Sequence, residues 1–170
     1  PSITPTGNYS AFKMKVATTN GNSIVLPYYP DGSYSGTINW GDGTVDVNSF
    51  LTSSHTYSAT GISEITITGE ISKWGYGTYG NSEVVLEITQ WGSLQFLNND
   101  GGYFNGCYNL TSVSAIDTPN LVGISDLSSM FRNTYDLTGI TNINSWDVSN
   151  VTDMNNMFNS AGINLISELP

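Results

Sequence analysis

The chain has 170 residues, of which 38% are hydrophobic and only 11% are charged, and its formal net charge is −10 at pH 7. Binding to a phosphate backbone needs clustered Lys and Arg, so four basic residues in total argue against nucleic acid as a partner. No stretch approaches the roughly 20 apolar residues that a membrane-spanning helix needs, which argues against membrane insertion.

The first part of the chain has the pattern of short, half-buried strands. Phe12, Met14 and Val16 alternate with lysines, and similar alternation occurs around Ile24 and around Ile65. Clusters of Gly, Asn, Asp and Pro separate these segments. The pattern predicts a mainly β protein that begins with an antiparallel β-sandwich over residues 1–72.

Two segments in this part resemble PKD-type domains, which have an immunoglobulin-like fold. They are WGDGTVDV, from Trp40 to Val47, and HTYSATGISEITITG, from His55 to Gly69. The resemblance covers roughly residues 11–72. It implies a spacer or binding module on an extracellular or virion surface, and it does not imply an enzyme.

The WGDGTVD turn carries the candidate metal ligands. Asp42 and Asp46 flank Gly43, and carboxylate oxygens at this spacing could bind calcium. An Asp-Gly hairpin turn is the simpler interpretation. His55 has no second His or Cys nearby for transition-metal binding, so we expect it to pin a turn by a hydrogen bond. Apart from calcium, no cofactor is expected.

Two aromatic clusters are the candidate binding residues. The loop PYYPDGSY contains Tyr28, Tyr29 and Tyr34, and residues 73–82, KWGYGTYGNS, contain Trp74, Tyr76 and Tyr79. Aromatic loops on a sandwich can bind a sugar face or a partner protein. The alternative is packing within the protein or against a second copy. Residues 73–82 are predicted to be a domain junction across which the three rings pack.

The remainder, residues 83–170, is predicted to be a solenoid. Phe104, Phe131 and Phe158 lie 27 residues apart, and a fixed period of this length indicates stacked repeat units. Residues 83–91, EVVLEITQW, are predicted to form a strand that starts the stack. A weaker early unit contains Leu94, Leu97, Tyr103 and Phe104.

Each unit is predicted to contain an extended stretch and a short helix. The segments LTSVSAI and LTGITNI are rich in Thr and β-branched residues, which favours strands laid side by side. Leu127, Met130 and Phe131 have the spacing of one helical face. Ser125 or Asp126, and Thr152 or Asp153 in the next unit, are the predicted N-caps.

The last unit reads as incomplete, so its end needs a cover. A capping loop, a second copy or another protein could supply it. We therefore expect a homo-oligomer or a component of a larger assembly.

The run WDVSNVTDMNNMF, from Trp146 to Phe158, resembles the BspA-like leucine-rich-repeat surface proteins. The resemblance covers about the last half of the chain. It implies bacterial cell-surface adhesion, or a structural role in a phage, and it supplies no catalytic residues.

Two kinds of reactive side chain occur in the repeats. Cys107 is the only cysteine, and it falls at the position of Thr134 and Ala161, which predicts a small buried residue. Asp126 and Asp153 lie one period apart and could form a ladder of carboxylates. Glycoside hydrolysis by paired acids would need a cleft, and helix capping explains these acids more simply.

These observations predict a non-enzymatic, surface-displayed structural and adhesion module that contacts protein or glycan. It is expected outside the cell, on a cell surface or on a virion, either as a bacterial adhesin or as a phage decoration or fibre protein. The first residues, PSITPTGNYS, lack the pattern of a secretory signal, which fits either a mature fragment or loss of an initiator Met. The alternative is a small carbohydrate-active enzyme that uses the repeat carboxylates.

Overall fold

The protein is mainly β. The computed structural model describes residues 10–76, 78–96 and 100–163. Within those ranges the strands are β1 (Phe12–Thr18), β2 (Ser23–Val25), β3 (Thr37–Asn39), β4 (Val45–Val47), β5 (Ser54–Thr56), β6 (Gly61–Ile67), β7 (Val85–Gln90), β8 (Ser112–Val113) and β9 (Gly139–Ile140). Short 3₁₀ helices span Phe50–Thr52, Ser82–Val84 and Ile143–Ser145.

One sheet runs through both predicted parts of the chain. Its strand order is β4-β3-β6-β1-β7-β8-β9, and β2 pairs with β5 in a separate antiparallel sheet. In this order, each pair of neighbouring strands from β4 through β3, β6 and β1 to β7 is antiparallel. The pairs β7–β8 and β8–β9 are parallel. Strand β7 therefore joins the alternating strands of the first part to the repeat units of the second.

The alternation in β1 sets the inner face of this sheet. Phe12, Met14 and Val16 are buried, while Lys13 and Lys15 lie on the outer face. Across the outer face, the Lys15 ammonium contacts the Glu87 carboxylate of β7 at 2.7 Å. The period-2 pattern thus predicts the orientation of β1 correctly.

The junction rings connect the two parts. Trp74 is fully buried, with its ring centroid 5.0 Å from Phe12 and 6.1 Å from Phe104. The Tyr76 hydroxyl donates to the Met14 sulfur at 3.8 Å, and its ring lies against Phe104. Packing of Trp74 and Tyr76 across the junction is therefore as predicted, and one hydrophobic core includes residues from both sides.

The repeat units stack in parallel. Ser112 of β8 lies opposite Gly139 of β9, so the predicted extended stretches do pair side by side. The phenylalanines form a column, in which Phe131 lies 5.8 Å from Phe104 and 5.7 Å from Phe158, with ring planes within 10° of parallel. In the weaker early unit, Leu94, Tyr103 and Phe104 are buried, and Leu97 lies outside the described residues.

The predicted short helix is wrong, because this segment consists of consecutive turns. Ser129 and Asn133 have left-handed backbones, with φ of 55° and 60°, which end a helix before it can propagate. The Met130 amide bonds locally to the Leu127 carbonyl, but the Phe131 amide bonds to Met157 in the next unit. The i, i+3, i+4 spacing of Leu127, Met130 and Phe131 therefore comes from consecutive turns, which return these side chains to the same side of the chain.

The predicted N-cap residues close turns instead of capping helices. Asp126 Oδ1 accepts the Ser128 amide at 2.7 Å, and Asp153 Oδ1 accepts the Asn155 amide at 2.8 Å. Each is an Asx turn, in which the Asp side chain accepts the backbone amide two residues further along the chain. Asp126 and Asp153 therefore accept backbone amides as predicted, but they do so in turns and not at the start of a helix.

The shared core makes the two parts depend on Trp74. Replacing Trp74 by Ala should lower the free energy of unfolding by about 3–5 kcal/mol, because a large ring at the centre of an aromatic cluster is lost. Urea denaturation followed by fluorescence and by far-UV circular dichroism should show one shared transition. The matched control is Leu51→Ala, since Leu51 is 92% exposed and should be nearly neutral. Two separate transitions would contradict a single core.

The left-handed positions give a second prediction. Asn156 has φ of 57° and an exposed side chain, so Asn156→Val should cost about 1–2 kcal/mol, whereas Asn156→Gly should not destabilise. The neighbouring Asn155 is exposed and does not have a positive φ, so Asn155→Val serves as the control. Thermal or urea unfolding measures the difference. Equal losses for both Val variants would count against the turn geometry.

Candidate binding site

A polar cleft opens where the PYYPDGSY loop, the junction and the first two repeat units meet. Its volume is about 410 Å³. It is lined by Tyr29, Thr78, Asp100, Gly101, Gly102, Asn105, Ser128 and Ser129. One aromatic ring therefore faces a wall of hydroxyl, amide, carboxylate and backbone groups.

The Tyr29 side of the cleft is held by hydrogen bonds and ring packing. The Tyr29 amide donates to the Tyr34 hydroxyl at 2.8 Å, and that hydroxyl lies 3.0 Å from the Lys73 carbonyl, to which it can donate. The Tyr29 ring packs edge-on against Tyr79 at 4.8 Å. A Cβ at position 75 would lie 2.9 Å from the Tyr29 hydroxyl, so Gly75 leaves the room that this ring occupies. These contacts fix the ring before any ligand binds.

The opposite wall is built from two rows of turns in close contact, the first row at residues 100–106 and the second at 126–133; the third row, at 153–160, follows one repeat later. The Gly102 amide donates to the Ser128 carbonyl at 2.7 Å, and a Cβ at Gly101 would lie 2.4 Å from the same oxygen. Gly101 is thus required by the approach of the two backbones. Asn105 and Ser129 place short polar side chains beside this contact. The wall offers several donors and acceptors at fixed positions.

The six predicted aromatic residues divide between the core and this cleft. Tyr28, Trp74 and Tyr76 are buried, so of the two alternatives these three rings follow packing within the protein and not an exposed binding surface. They face inward because the loop and the junction fold over the core of β1. Burial raises the pKa of the Tyr28 and Tyr76 hydroxyls well above the usual range.

The other three aromatics remain nearer the surface. Tyr34 is half-buried and stacked on Tyr28 at 4.0 Å, and burial raises the pKa of Tyr34 to about 12. Tyr29 lines the cleft, and Tyr79 behind it is 38% exposed. The structure thus brings Tyr29 and Tyr79 together, as the sequence could not show.

Sequence reasoning missed the polar wall of the cleft. Gly102 and Ser129 lie one repeat apart, and both have left-handed backbones, so the 27-residue period could have placed them side by side. Asp100 and Asn105 carry no such signal, since the residues one period later are Leu127 and Arg132.

The Asp42 hairpin has partners for both predicted calcium ligands. Asp42 Oδ2 accepts from His55 Nε2 at 2.8 Å, and Asp42 Oδ1 accepts the Thr44 amide at 3.0 Å. Asp46 Oδ2 accepts from Trp40 Nε1 at 2.8 Å. His55 thus makes the pinning hydrogen bond expected of it, and calcium binding here stays a prediction. No group of three or more His, Cys, Asp or Glu suited to a metal occurs among the described residues.

The side chains considered for chemistry in the repeats have structural surroundings. Cys107 is fully buried, as is Thr134 one repeat later, so the small buried position is as predicted. Burial raises the pKa of the Cys107 thiol, which disfavours the reactive thiolate. Asp126 and Asp153 lie opposite one another in neighbouring rows, where each closes a turn.

Comparison with known proteins reaches only the repeat region. Residues 99–164 match the family described as Mycoplasma protein of unknown function, DUF285. The match covers less than half of the chain, and its description assigns no function. No curated protein and no solved structure matches the chain. In the part of the chain that the structure describes, no helix is long and apolar enough to cross a membrane.

The Asp42 hairpin predicts an acid-dependent loss of stability. The hydrogen bond from His55, followed by that from the Thr44 amide, lowers the pKa of Asp42 from 3.8 to about 2. The carboxylate therefore stabilises the fold above its unfolded pKa, and this contribution is lost as the pH falls through about 2.

Melting temperatures measured from pH 5 to pH 2 should thus fall less steeply in Asp42→Asn than in the unmodified chain. His55→Gln should reproduce most of this change, because it removes the largest cause of the lowered pKa. An unchanged slope in both variants would contradict the assignment.

Proposed function

We propose that this protein is a non-enzymatic display module that binds glycan on a cell or virion surface through the cleft beside Tyr29. In this proposal a PKD-type, immunoglobulin-like sandwich carries a short BspA-like leucine-rich solenoid. The cleft is the observation on which the proposal rests, because it combines a fixed aromatic ring with a polar wall.

The strand pattern supports the proposed architecture. The antiparallel order β4-β3-β6-β1, with β2 and β5 in a second sheet, is compatible with a sandwich whose fifth antiparallel neighbour, β7, starts a solenoid. The parallel strands β8 and β9 and the stacked phenylalanines are compatible with leucine-rich repeat units.

The chemistry of the cleft supports a glycan more than a charged ligand. A sugar ring has an apolar face that packs on an aromatic ring and hydroxyls that exchange hydrogen bonds with Ser, Asn and Asp. Among the described residues that line the cleft, Asp100 is the only charged one, so a strongly anionic ligand meets no cationic partner from them. The volume of about 410 Å³ lies within the usual range for small-ligand sites.

The roles assigned to other acids support a binding protein over an enzyme. Asp126 and Asp153, the acids considered for glycoside hydrolysis, each accept a backbone amide two residues ahead. Adhesin and virion protein remain two forms of this proposal, and the gene distinguishes them. A secretion signal upstream of Pro1 would favour the adhesin, and a Met directly before Pro1 would favour the virion.

Binding to a glycan array, followed by calorimetry with the best glycan, tests the proposal. Tyr29→Ala should weaken binding at least tenfold, since truncation of a central aromatic contact typically costs about 2 kcal/mol. Tyr29→Phe should retain most of the affinity, because it keeps the ring.

The control is Tyr108→Ala, which removes another exposed tyrosine outside the cleft. Equal weakening by Tyr108→Ala and Tyr29→Ala would place binding elsewhere, and no binding to any glycan would reject the proposal.

A further inference from the structure

The repeat turns have a hydrogen-bonding direction. In the second row, the amides of Leu127, Ser129, Phe131 and Asn133 donate to carbonyls of the third row at 2.8–3.0 Å. The carbonyls of the second row accept from the first, where Gly102, Phe104 and Gly106 donate to Ser128, Met130 and Arg132. Within these turns, each row thus presents alternate amides on one edge and alternate carbonyls on the other, whereas the extended stretches donate in the opposite sense, as from Thr138 to Thr111.

The third row presents the equivalent amides, and no fourth row lies beside it among the residues up to 163 that the structure describes. The residues one period later are Met154, Asn156, Phe158 and Ser160, and their backbone amides have no acceptor among the described residues. Met154, Asn156 and Phe158 are exposed, so water can solvate these amides, and a partner that supplies acceptors can replace that water. The alternating turn geometry also makes such successive amides a concentrated source of positive partial charge.

Apolar exposure rises at the same edge. Phe158 is 43% exposed, whereas Phe104 and Phe131 are fully buried in the rows behind it. Met154 is 44% exposed, and its equivalent Leu127 is buried. A hollow of about 310 Å³ lies beside Phe158, lined by Leu137, Thr138, Gly139, Ile140, Ile143, Phe158 and Ala161. In the inner rows, the next unit covers these positions.

The direction of the rows limits what can occupy this edge. A second copy that met it head to head would place amides against amides. A second copy arriving head to tail would need its own first carbonyl edge, and there the Tyr103 carbonyl already accepts the Tyr76 amide while the Trp74 ring packs on Phe104. An ordinary β-strand presents amides and carbonyls together on each edge, so it could satisfy only part of the row.

We propose that the edge formed by Met154, Asn156, Phe158 and Ser160 is a docking surface for a repeat unit of the same turn type, carried by another polypeptide that presents its carbonyl edge. The third row shows how such a unit would bind, because it covers the second row in the same way. Its carbonyls at Asp153, Asn155, Met157 and Asn159 accept the amides of the second row. The aromatic and apolar residues of the incoming unit would cover Phe158 and fill the hollow. This inference does not rest on the glycan cleft.

A tethered probe tests the docking surface at high effective concentration. The full chain is extended by a flexible Gly/Ser linker and a second copy of the sequence of residues 137–163, and amide hydrogen exchange is followed residue by residue. Exchange at Met154, Asn156, Phe158 and Ser160 should slow at least tenfold in the extended chain. A probe with the same residues in scrambled order is the control. Phe158→Ser should reduce the protection, and Leu51→Ser, at a distant exposed position, should not.

Four outcomes would overturn the proposal. The extended chain could show no added protection, or the scrambled probe could protect equally. The four amides could already be protected in the chain without a probe, in which case the edge is not available. The unextended chain could also self-associate in a way that Phe158→Ser abolishes, which would make a second copy the occupant. Glycan binding to the cleft should be the same in all of these chains, so the two proposals can fail separately.

Discussion

The repeat rows depend on a covered starting edge, because a single row pairs only some of its own amides and carbonyls and needs neighbouring rows for the rest. Strand β7 provides that edge for the parallel strands, since it pairs with β1 on one side and with β8 on the other. Trp74 and Tyr76 provide it for the turns by packing on Phe104, the first ring of the column. The first part of the chain therefore acts as the template on which the repeat rows form, and the shared core follows from this requirement.

The sequence predicts best where a pattern has one structural meaning. Period-2 alternation in β1 has only one compatible backbone, and the 27-residue period fixes which residues lie side by side, so the column at Phe104, Phe131 and Phe158 could be anticipated. The spacing of Leu127, Met130 and Phe131 is ambiguous, because a helix and a run of turns give the same apolar face. The residues that distinguish turns from a helix are the Gly, Ser and Asn that recur at left-handed positions, such as Gly102, Ser129 and Asn156.

The candidate site was harder to predict because it depends on distances between segments far apart in the chain. Tyr29 and Ser128 line one cleft although about a hundred residues separate them. Composition identified aromatic loops, but it could not separate Tyr29 from Tyr28 beside it, and only the fold decides which ring turns inward. The polar wall came from repeat turns that the sequence had assigned to helix, so an error in local structure concealed part of the site.

The hydrogen-bonding direction of the rows also explains why the two ends of the repeat region differ. Because the turns all donate in the same direction, the turn side of the stack has one carbonyl end and one amide end, so these two ends cannot be covered by the same kind of surface. At the carbonyl end, Tyr76 donates from within the chain to Tyr103, and the junction rings complete the cover. At the amide end, the required partner is an acceptor edge, which is a more demanding requirement than an apolar surface. Contacts at this end are therefore expected to be directional: a partner with the wrong edge leaves amides unpaired, whatever apolar area it buries.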